Sequence, residues 1–233
     1  MTSDRRIATI AGVLFIIATA AGLLSTPFLG STSSANYLVD VTANATQVAT
    51  GALLAFIAAA ASASIAVSMY PVLRRHNEWL ALGAVGFRLI EGTLYIVGVV
   101  FLLSLVTLSQ DFVSAGTPNS PYYQTFGALL LAGHQWASFV TAVLAFGIGG
   151  QLYYYIFFQT RLVPRWLSGW GIVALALLVV ATLLIMFDVI VPLSTVQIVL
   201  ALPIAVQEMA LGVWLIVKGF NPSAIAAGSA QHA

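Results

Sequence analysis

Residues 80–108 read LALGAVGFRLIEGTLYIVGVVFLLSLVTL, an apolar stretch with two charged residues, Arg88 and Glu91. A helix needs about 20 mostly apolar residues to cross the hydrocarbon core of a membrane, and this stretch exceeds that length. It lacks the regular alternation of polar and apolar residues that is typical of the strands of a membrane β-barrel. The stretch therefore predicts a membrane-spanning helix that carries two charges near its middle.

Five further stretches satisfy the same test of length and composition. The resulting six predicted spans run approximately from Ile7 to Leu24, Ala45 to Met69, Leu80 to Leu108, Phe126 to Gly150, Leu167 to Phe187, and Ser194 to Val217. The predicted fold class is all-α, a polytopic integral membrane six-helix bundle. Residues 1–218 should form this single six-span transmembrane domain, and residues 219–233 a short flexible cytoplasmic tail rich in small residues.

The composition of the whole chain agrees with a membrane protein and excludes several classes. Of its 233 residues 61% are hydrophobic and 6% are charged, whereas about a quarter of the residues in a soluble domain are charged. The net charge of +1 leaves no basic surface for a nucleic acid, so no nucleic-acid partner is expected. Because the chain has 0 Cys, disulfides, thiolate metal sites and cysteine nucleophiles are excluded.

The distribution of basic residues outside the spans predicts the orientation. The basic residues outside the spans all fall on one side, and they are Arg5, Arg6, Arg74, Arg75, Arg161, Arg165 and Lys218. The loops on the opposite side contain Asp40, Asp111 and Asp188 but no Lys or Arg. The positive-inside rule therefore predicts that both termini are cytoplasmic. A cleaved signal peptide beginning at Arg5 is the alternative, although its apolar run is long and no small-residue cleavage site follows.

Two patterns concern packing rather than chemistry. Gly51, Ala55, Ala59 and Ala63 recur every fourth residue in the second span, which predicts a tightly packed helix at the centre of the bundle. Aromatic residues collect where spans end, as is typical of the membrane interface. On this ground Tyr153 to Tyr155 are predicted to belong to an interfacial belt.

Ionisable residues inside the spans are the candidate functional residues. Arg88 and Glu91 lie about 12 and 16 Å along the third span, and their spacing of three allows an ion pair on one helix face. Glu208 and its neighbour Gln207 lie near the middle of the sixth span, and His134 lies about 12 Å into the fourth. If these helices converge, the five residues form one binding site or proton pathway.

Other roles for these residues remain open. They could be a structural knot in which polar groups satisfy one another and fix the register of the helices. Glu91, Glu208 and His134 could hold a metal ion, but no spacing typical of a metal motif is present, so no metal site is predicted. Bis-histidine haem ligation is excluded because His134 is the one His within a predicted span, and serine hydrolysis lacks a G-x-S-x-G motif. No cofactor and no catalytic residue is predicted.

Three segments of the chain carry a family resemblance. They are Phe87 to Glu91 (FRLIE) in the third span, Arg161 to Gly171 (RLVPRWLSGWG) at the start of the fifth, and Leu202 to Glu208 (LPIAVQE) followed by Lys218-Gly219-Phe220 in the sixth. These segments resemble the bacterial domain-of-unknown-function family DUF4386, and residues 161–171 are the most specific part. The resemblance covers nearly the whole chain. It implies a multi-pass protein of the bacterial plasma (inner) membrane, and it implies no substrate or reaction.

The functional hypothesis favoured by these observations is non-enzymatic. It is the movement or sensing of a small solute or of protons through the buried Arg/Glu/His cluster. One alternative is a membrane-embedded enzyme that acts on a lipid or isoprenoid, which a bound metal or a lateral opening toward His134 and Glu208 would favour. Another is an accessory subunit of a second membrane protein. The expected partners are the lipid bilayer and a small solute or lipid, and the sequence is also compatible with a homo-oligomer.

Overall fold

The computed structural model describes residues 3–116 and 121–230, which are mostly helical and contain no strand. The helices are α1 (Ser3–Ser25), α2 (Tyr37–Ala43), α3 (Ala45–Leu73), α4 (Glu78–Ser114), α5 (Pro121–Gln135), α6 (Ala142–Thr160), α7 (Arg165–Met186), α8 (Thr195–Val217) and α9 (Pro222–Ala230). A 3-10 segment, Thr26–Ser33, follows α1, and a π-helical segment, Trp136–Thr141, joins α5 to α6.

Six of the described helical stretches are long and apolar enough to cross a membrane. They are α1 with its 3-10 extension, α3, α4, the continuous stretch from α5 through α6, α7 and α8. The six predicted spans and the all-α polytopic fold are therefore confirmed. The fourth span differs from a simple helix, because its π-helical segment has a wider turn that changes which side chains face the interior.

The six spans form a closed ring in chain order. The main contacts of α3 are with α1 and α4, α6 packs on α4 and α7, and α8 packs on α7 and returns to α1. Where α8 meets α1, a Cβ atom built on Gly12 would lie 2.5 Å from the carbonyl oxygen of Gly212. Glycine is required at this crossing because the two backbones are in contact. The second span, α3, is thus one member of the ring, and the prediction that it lies at the centre is wrong.

One half of the ring is filled by an apolar core. This core includes Phe15, Met69, Tyr153, Phe157 and Leu211, each of which is fully buried. These residues come from α1, α3, α6 and α8, near the end of the bundle where the chain begins. Burial of such large side chains blocks that end of the ring. A second apolar cluster from α2, α3 and α4, which includes Leu38, Leu102 and Phe112, lies toward the other end.

Hydrogen bonds and one ion pair identify the blocked end, which we call the basic face. The Arg5 guanidinium donates to the carbonyl oxygens of Leu215 (3.1 Å) and Ile216 (2.5 Å). Arg75 forms an ion pair with Asp4 at 2.9 Å. The start of α1, the turn between α3 and α4, and the end of α8 therefore meet at one face. This places residues from both ends of the chain on the same side, as an even number of crossings requires.

The segment after the sixth span differs from the predicted flexible tail. Residues 222–230 form α9, and Ala224 and Phe220 join the apolar core with 7% of each residue exposed. The backbone N–H of Asn221 donates to the carbonyl oxygen of Leu162 at 2.9 Å. The described part of the tail is thus docked on the bundle, because these apolar side chains find a buried site there. Residues 231–233 of the predicted tail lie outside the described residues.

Replacing Ala59 by Leu should lower the stability of the bundle. Ala59 is 1% exposed, and its carbonyl oxygen would lie 3.3 Å from a Cβ built on Gly92 of α4, so no space remains for a larger side chain. Overpacking of this kind costs about 1–3 kcal/mol. Thermal unfolding in detergent should show a lower midpoint for Ala59→Leu than for the parent. Ala60→Leu, at an exposed position of the same helix, is the control and should behave as the parent. Equal midpoints for both variants would contradict close packing of α3 on α4.

Candidate functional site

Arg88 and Glu91 form a buried ion pair in the middle of α4. Their spacing of three residues puts both on one helix face, and Arg88 Nη1 lies 3.0 Å from Glu91 Oε2. The exposed fractions of the two residues are 1% and 3%. Ser62 of α3 donates its hydroxyl to Glu91 Oε1 at 2.7 Å. The Arg88 guanidinium also lies 4.6 Å from the ring centroid of Phe146, in α6. Residues of α3, α4 and α6 therefore contact the pair, and its two opposite charges offset each other.

Glu208 of α8 is less completely satisfied. Thr19 of α1 donates its hydroxyl to Glu208 Oε2 at 3.0 Å. The other carboxylate oxygen, Oε1, is buried and has no hydrogen-bond partner within the described part of the chain. A buried acceptor without a donor costs free energy that the protein must recover elsewhere, and such groups mark ligand or water sites. Glu91 Oε2 also lacks a hydrogen-bond donor, but it lies 3.0 Å from Arg88 in an ion pair, whereas Glu208 Oε1 has neither a donor nor an ion-pair partner among the described residues.

His134, in the fourth span, contacts α4 farther from the basic face, about 15 Å beyond Arg88. Its Nδ1 lies 2.9 Å from the carbonyl oxygen of Gly98 in α4. Because a carbonyl can only accept, Nδ1 carries the proton, and in the neutral ring Nε2 is then an acceptor. A Cβ built on Gly98 would lie 3.4 Å from His134 Nδ1 and still closer to the hydroxyl of Ser138. Glycine at position 98 therefore allows the fourth span to approach α4 at this depth.

A cavity of about 290 Å³ lies between the spans and connects these groups. All six spans contribute to its wall. The polar groups at its inner end are Thr19, Ser62, Arg88, Glu91 and Glu208, whereas His134 lines the cavity where it contacts Gly98, about 15 Å beyond Arg88 along α4. Apolar side chains, among them Ala55, Phe139, Val143 and Leu178, line much of the rest. The lining extends to Ser25 and Gln197, at the end of α1 and the first turn of α8, so the cavity runs from the buried charges away from the basic face.

Gln207 is a predicted site residue that does not lie with the others in the cavity wall. It is fully buried, accepts a hydrogen bond from the hydroxyl of Tyr154 at 2.5 Å, and donates to the carbonyl oxygen of Leu167 at 3.0 Å. Successive residues of an α-helix point about 100° apart, which is why Gln207 and Glu208 have different environments. Gln207 joins α6, α7 and α8, and it does not line the cavity.

The prediction of an interfacial belt at Tyr153 to Tyr155 is also partly wrong. Tyr153 and Tyr154 are fully buried, whereas Tyr155 is 49% exposed. The ring centroid of Tyr153 lies 5.9 Å from the Arg88 guanidinium carbon. The two buried tyrosines thus belong to the packing around the charged pair, because α6 continues well beyond the stretch expected to span the membrane.

Sequence reasoning missed two hydroxyl groups that hold the carboxylates, Thr19 and Ser62. A lone Ser or Thr in an apolar helix usually bonds to a carbonyl oxygen of its own helix, so neither residue stands out in the sequence. The metal-binding alternative finds no support in the geometry: within residues 3–116 and 121–230 no three His, Asp or Glu side chains come together as a set that could hold a metal ion. Glu91, Glu208 and His134 share a cavity but not a coordination site.

Removing the Gln207 side-chain amide should weaken the junction of α6, α7 and α8. Gln207→Leu leaves the buried hydroxyl of Tyr154 without its acceptor, which costs about 1–3 kcal/mol. Thermal unfolding should show a lower midpoint for this variant, and the double variant Gln207→Leu with Tyr154→Phe should recover part of the loss. A double variant no better than the single variant would contradict the assigned hydrogen bond.

Comparison with known proteins gives one match. No curated protein and no solved structure matches the chain. Residues 10–219 match the profile of the family described as "Domain of unknown function (DUF4386)". The match includes every residue of the ion pair, the cavity acid Glu208 and His134. The chain, an all-α protein with six helices long enough to span a membrane, belongs to the DUF4386 family.

Proposed function

We propose that the protein binds a small solute in the cavity between its six spans and moves or senses that solute. The observation that carries this proposal is a cavity walled by every span and ending at a buried carboxylate oxygen without a donor. Arg88, Glu91, His134 and Glu208 are the groups that would contact the solute or carry a proton. Intramembrane ionisable residues are expensive to bury, and they are typically retained for such pathways.

The roles of the charged residues are proposed to differ. Glu91 Oε1 accepts a hydrogen bond from Ser62, and Oε2 forms an ion pair with Arg88 without a hydrogen bond, which fits a structural pair that shapes the end of the cavity. Glu208 has one oxygen held by Thr19 and one free of protein donors, which fits a group that receives a solute or proton. The structural-knot hypothesis thus accounts for the pair on α4 but leaves Glu208 unexplained.

The shape of the cavity supports loading from one side. The apolar core blocks the ring toward the basic face, and the cavity runs in the other direction. A carrier must expose its site to one side at a time, and this arrangement would be the state open away from the basic face. A sensor would use the same arrangement to sample that side. The enzyme and accessory-subunit alternatives have no comparable observation among the described residues in their favour.

We also propose that the basic face is cytoplasmic and that the membrane is the bacterial plasma (inner) membrane. Support comes from the basic residues on the cytoplasmic side of the predicted topology and from the Arg5 and Arg75 contacts at one face. Ser33→Cys, after α1, and Glu78→Cys, at the start of α4, are both at exposed positions. In intact cells an impermeant maleimide should label Ser33→Cys and not Glu78→Cys, and both should be labelled after lysis. Labelling of Glu78→Cys in intact cells would contradict the orientation.

The experiment that tests the solute-binding proposal combines binding with flux. The purified protein is assayed by calorimetry against a panel of small cations, anions and neutral amphiphiles, and proteoliposomes are subjected to jumps in the same solutes and in pH. We expect binding to at least one solute class, with charge movement or uptake if the protein is a carrier and binding alone if it is a sensor. The proposal fails if no member of the panel binds and neither solute nor pH jumps produce a response.

A further inference from the structure

We infer that the cavity takes a monovalent organic cation, an ammonium group on a small apolar or aromatic body. This inference rests on the proposed solute-binding function and specifies the chemical class of the solute. Three independent features carry it: the balance of formal charges, the kind of hydrogen-bonding group left unused, and the lining of the walls.

The charged groups that line the cavity leave an excess of negative charge. Arg88 and Glu91 are opposite in sign and 3.0 Å apart, so they offset each other. The lining contains one further carboxylate, Glu208, and no second Lys or Arg among the described residues. A buried carboxylate is stabilised by a cation that enters with it, and it repels an anion strongly at low dielectric. Charge therefore favours a ligand carrying a single positive charge.

The unused hydrogen-bonding group whose charge is not offset is an acceptor. Glu208 Oε1 is buried without a donor, and Thr19 already occupies Oε2. His134 donates through Nδ1 to Gly98, which leaves its Nε2 as an acceptor in the neutral ring. An ammonium group supplies donors and no acceptor, so it matches Glu208 Oε1, and His134 Nε2 is a further acceptor elsewhere in the cavity wall. Nε and Nη1 of Arg88 are buried donors without a hydrogen-bond acceptor, but the guanidinium faces the ring of Phe146 and its charge is offset by Glu91.

The remaining wall suits an apolar body next to the charge. Ala18, Ala55, Ala58, Val143 and Leu178 supply aliphatic surface, and the aromatic rings of Tyr95 and Phe139 also line the cavity. Aromatic faces attract organic cations, an interaction that strengthens where water is excluded. The volume of about 290 Å³ is near the lower end of small-molecule sites, which favours a ligand with one ring or a short chain.

Three probes of nearly the same size and shape test the inference: benzylammonium, benzoate and benzyl alcohol. n-Butylammonium is added as a cation with a smaller body. Each probe is titrated into the purified full-length protein by calorimetry, with the shift in thermal unfolding as a second readout. Glu208→Gln is the test variant because it keeps the shape and the Thr19 contact but removes the charge. Asp111→Asn, which removes an exposed acid outside the cavity, is the matched control.

We expect at least one of the two ammonium probes to bind more tightly than benzoate and benzyl alcohol. Glu208→Gln should weaken that binding by roughly tenfold or more, while Asp111→Asn leaves it unchanged. Preferential binding of benzoate, or ammonium binding that Glu208→Gln does not affect, would overturn the inference while leaving a solute-binding function in place. The inference would also be overturned if neither benzylammonium nor n-butylammonium bound to the protein. Failure of every solute class in the wider panel would instead overturn the proposed function.

Discussion

Arg88→Met should be among the most destabilising single substitutions in the interior of this protein. It leaves Glu91, which is 3% exposed, as a buried carboxylate whose remaining contact is the hydroxyl of Ser62. Breaking a buried ion pair by removing one partner costs about 3–5 kcal/mol. We expect a large drop in the unfolding midpoint and in the yield of folded protein in detergent, measured by thermal unfolding and size-exclusion chromatography.

The control for this prediction removes both charges. In Arg88→Met with Glu91→Leu neither member of the ion pair is left without its partner, and replacing a whole ion pair by apolar groups is often close to neutral. The double variant should therefore recover most of the stability that Arg88→Met loses. If the double variant is as unstable as the single variant, Arg88 contributes through contacts other than Glu91, such as the packing of its guanidinium on Phe146.

Glu208→Gln should separate function from stability. The glutamine amide oxygen can still accept the hydrogen bond from Thr19, and the side chain has nearly the same shape, so the unfolding midpoint should stay within a few degrees of the parent. Loss of the charge should remove the solute-dependent response of proteoliposomes, or reduce it at least tenfold at subsaturating solute. The two readouts are thermal unfolding and the flux or charge movement after a solute jump.

Asp111→Asn is again the matched control, because it neutralises one exposed acid far from the cavity lining. It should behave as the parent in both assays. A Glu208→Gln protein with parental stability and parental response would show that this carboxylate neither binds the solute nor carries a proton. A Glu208→Gln protein that fails to fold would instead assign Glu208 to the structural knot.

The arrangement of spans could be predicted from the sequence because it depends on local properties. Apolar length decides where a helix can cross a membrane, and this holds for residues 80–108 whatever their neighbours are. The ion pair could be predicted as well, since Arg88 and Glu91 are three residues apart on one helix. The ring order was not predictable in this way. It depends on which faces meet, as at Gly12 and Gly212, and two glycines far apart in sequence carry no signal of their contact.

The residues of the site could be predicted in part because they too stand out by a local property of the sequence. Arg88, Glu91, His134 and Glu208 stand out because ionisable groups are rare in spans, and the fold brings all four to one cavity. The sequence predicts that Gln207 belongs to the same site as Glu208 because the two are neighbours. The helical rotation between them separates their side chains. The π-helical segment after His134 has no sequence signature, although it helps to turn Ser138 toward the cavity. The π-helical segment and the direction of the Ser138 side chain depend on packing between spans, which the sequence of one span does not contain.

The most direct test of the account is an experimental density map of the protein in lipid nanodiscs with benzylammonium present. We predict a ring of six spans with a cavity that reaches Glu208. We also predict density for a bound ligand beside Glu208 Oε1. The same map of Glu208→Gln should lack that density. A ring collapsed so that side chains fill this space, or a protein donor bonded to Oε1, would contradict the central claim that the spans enclose a solute site at Glu208.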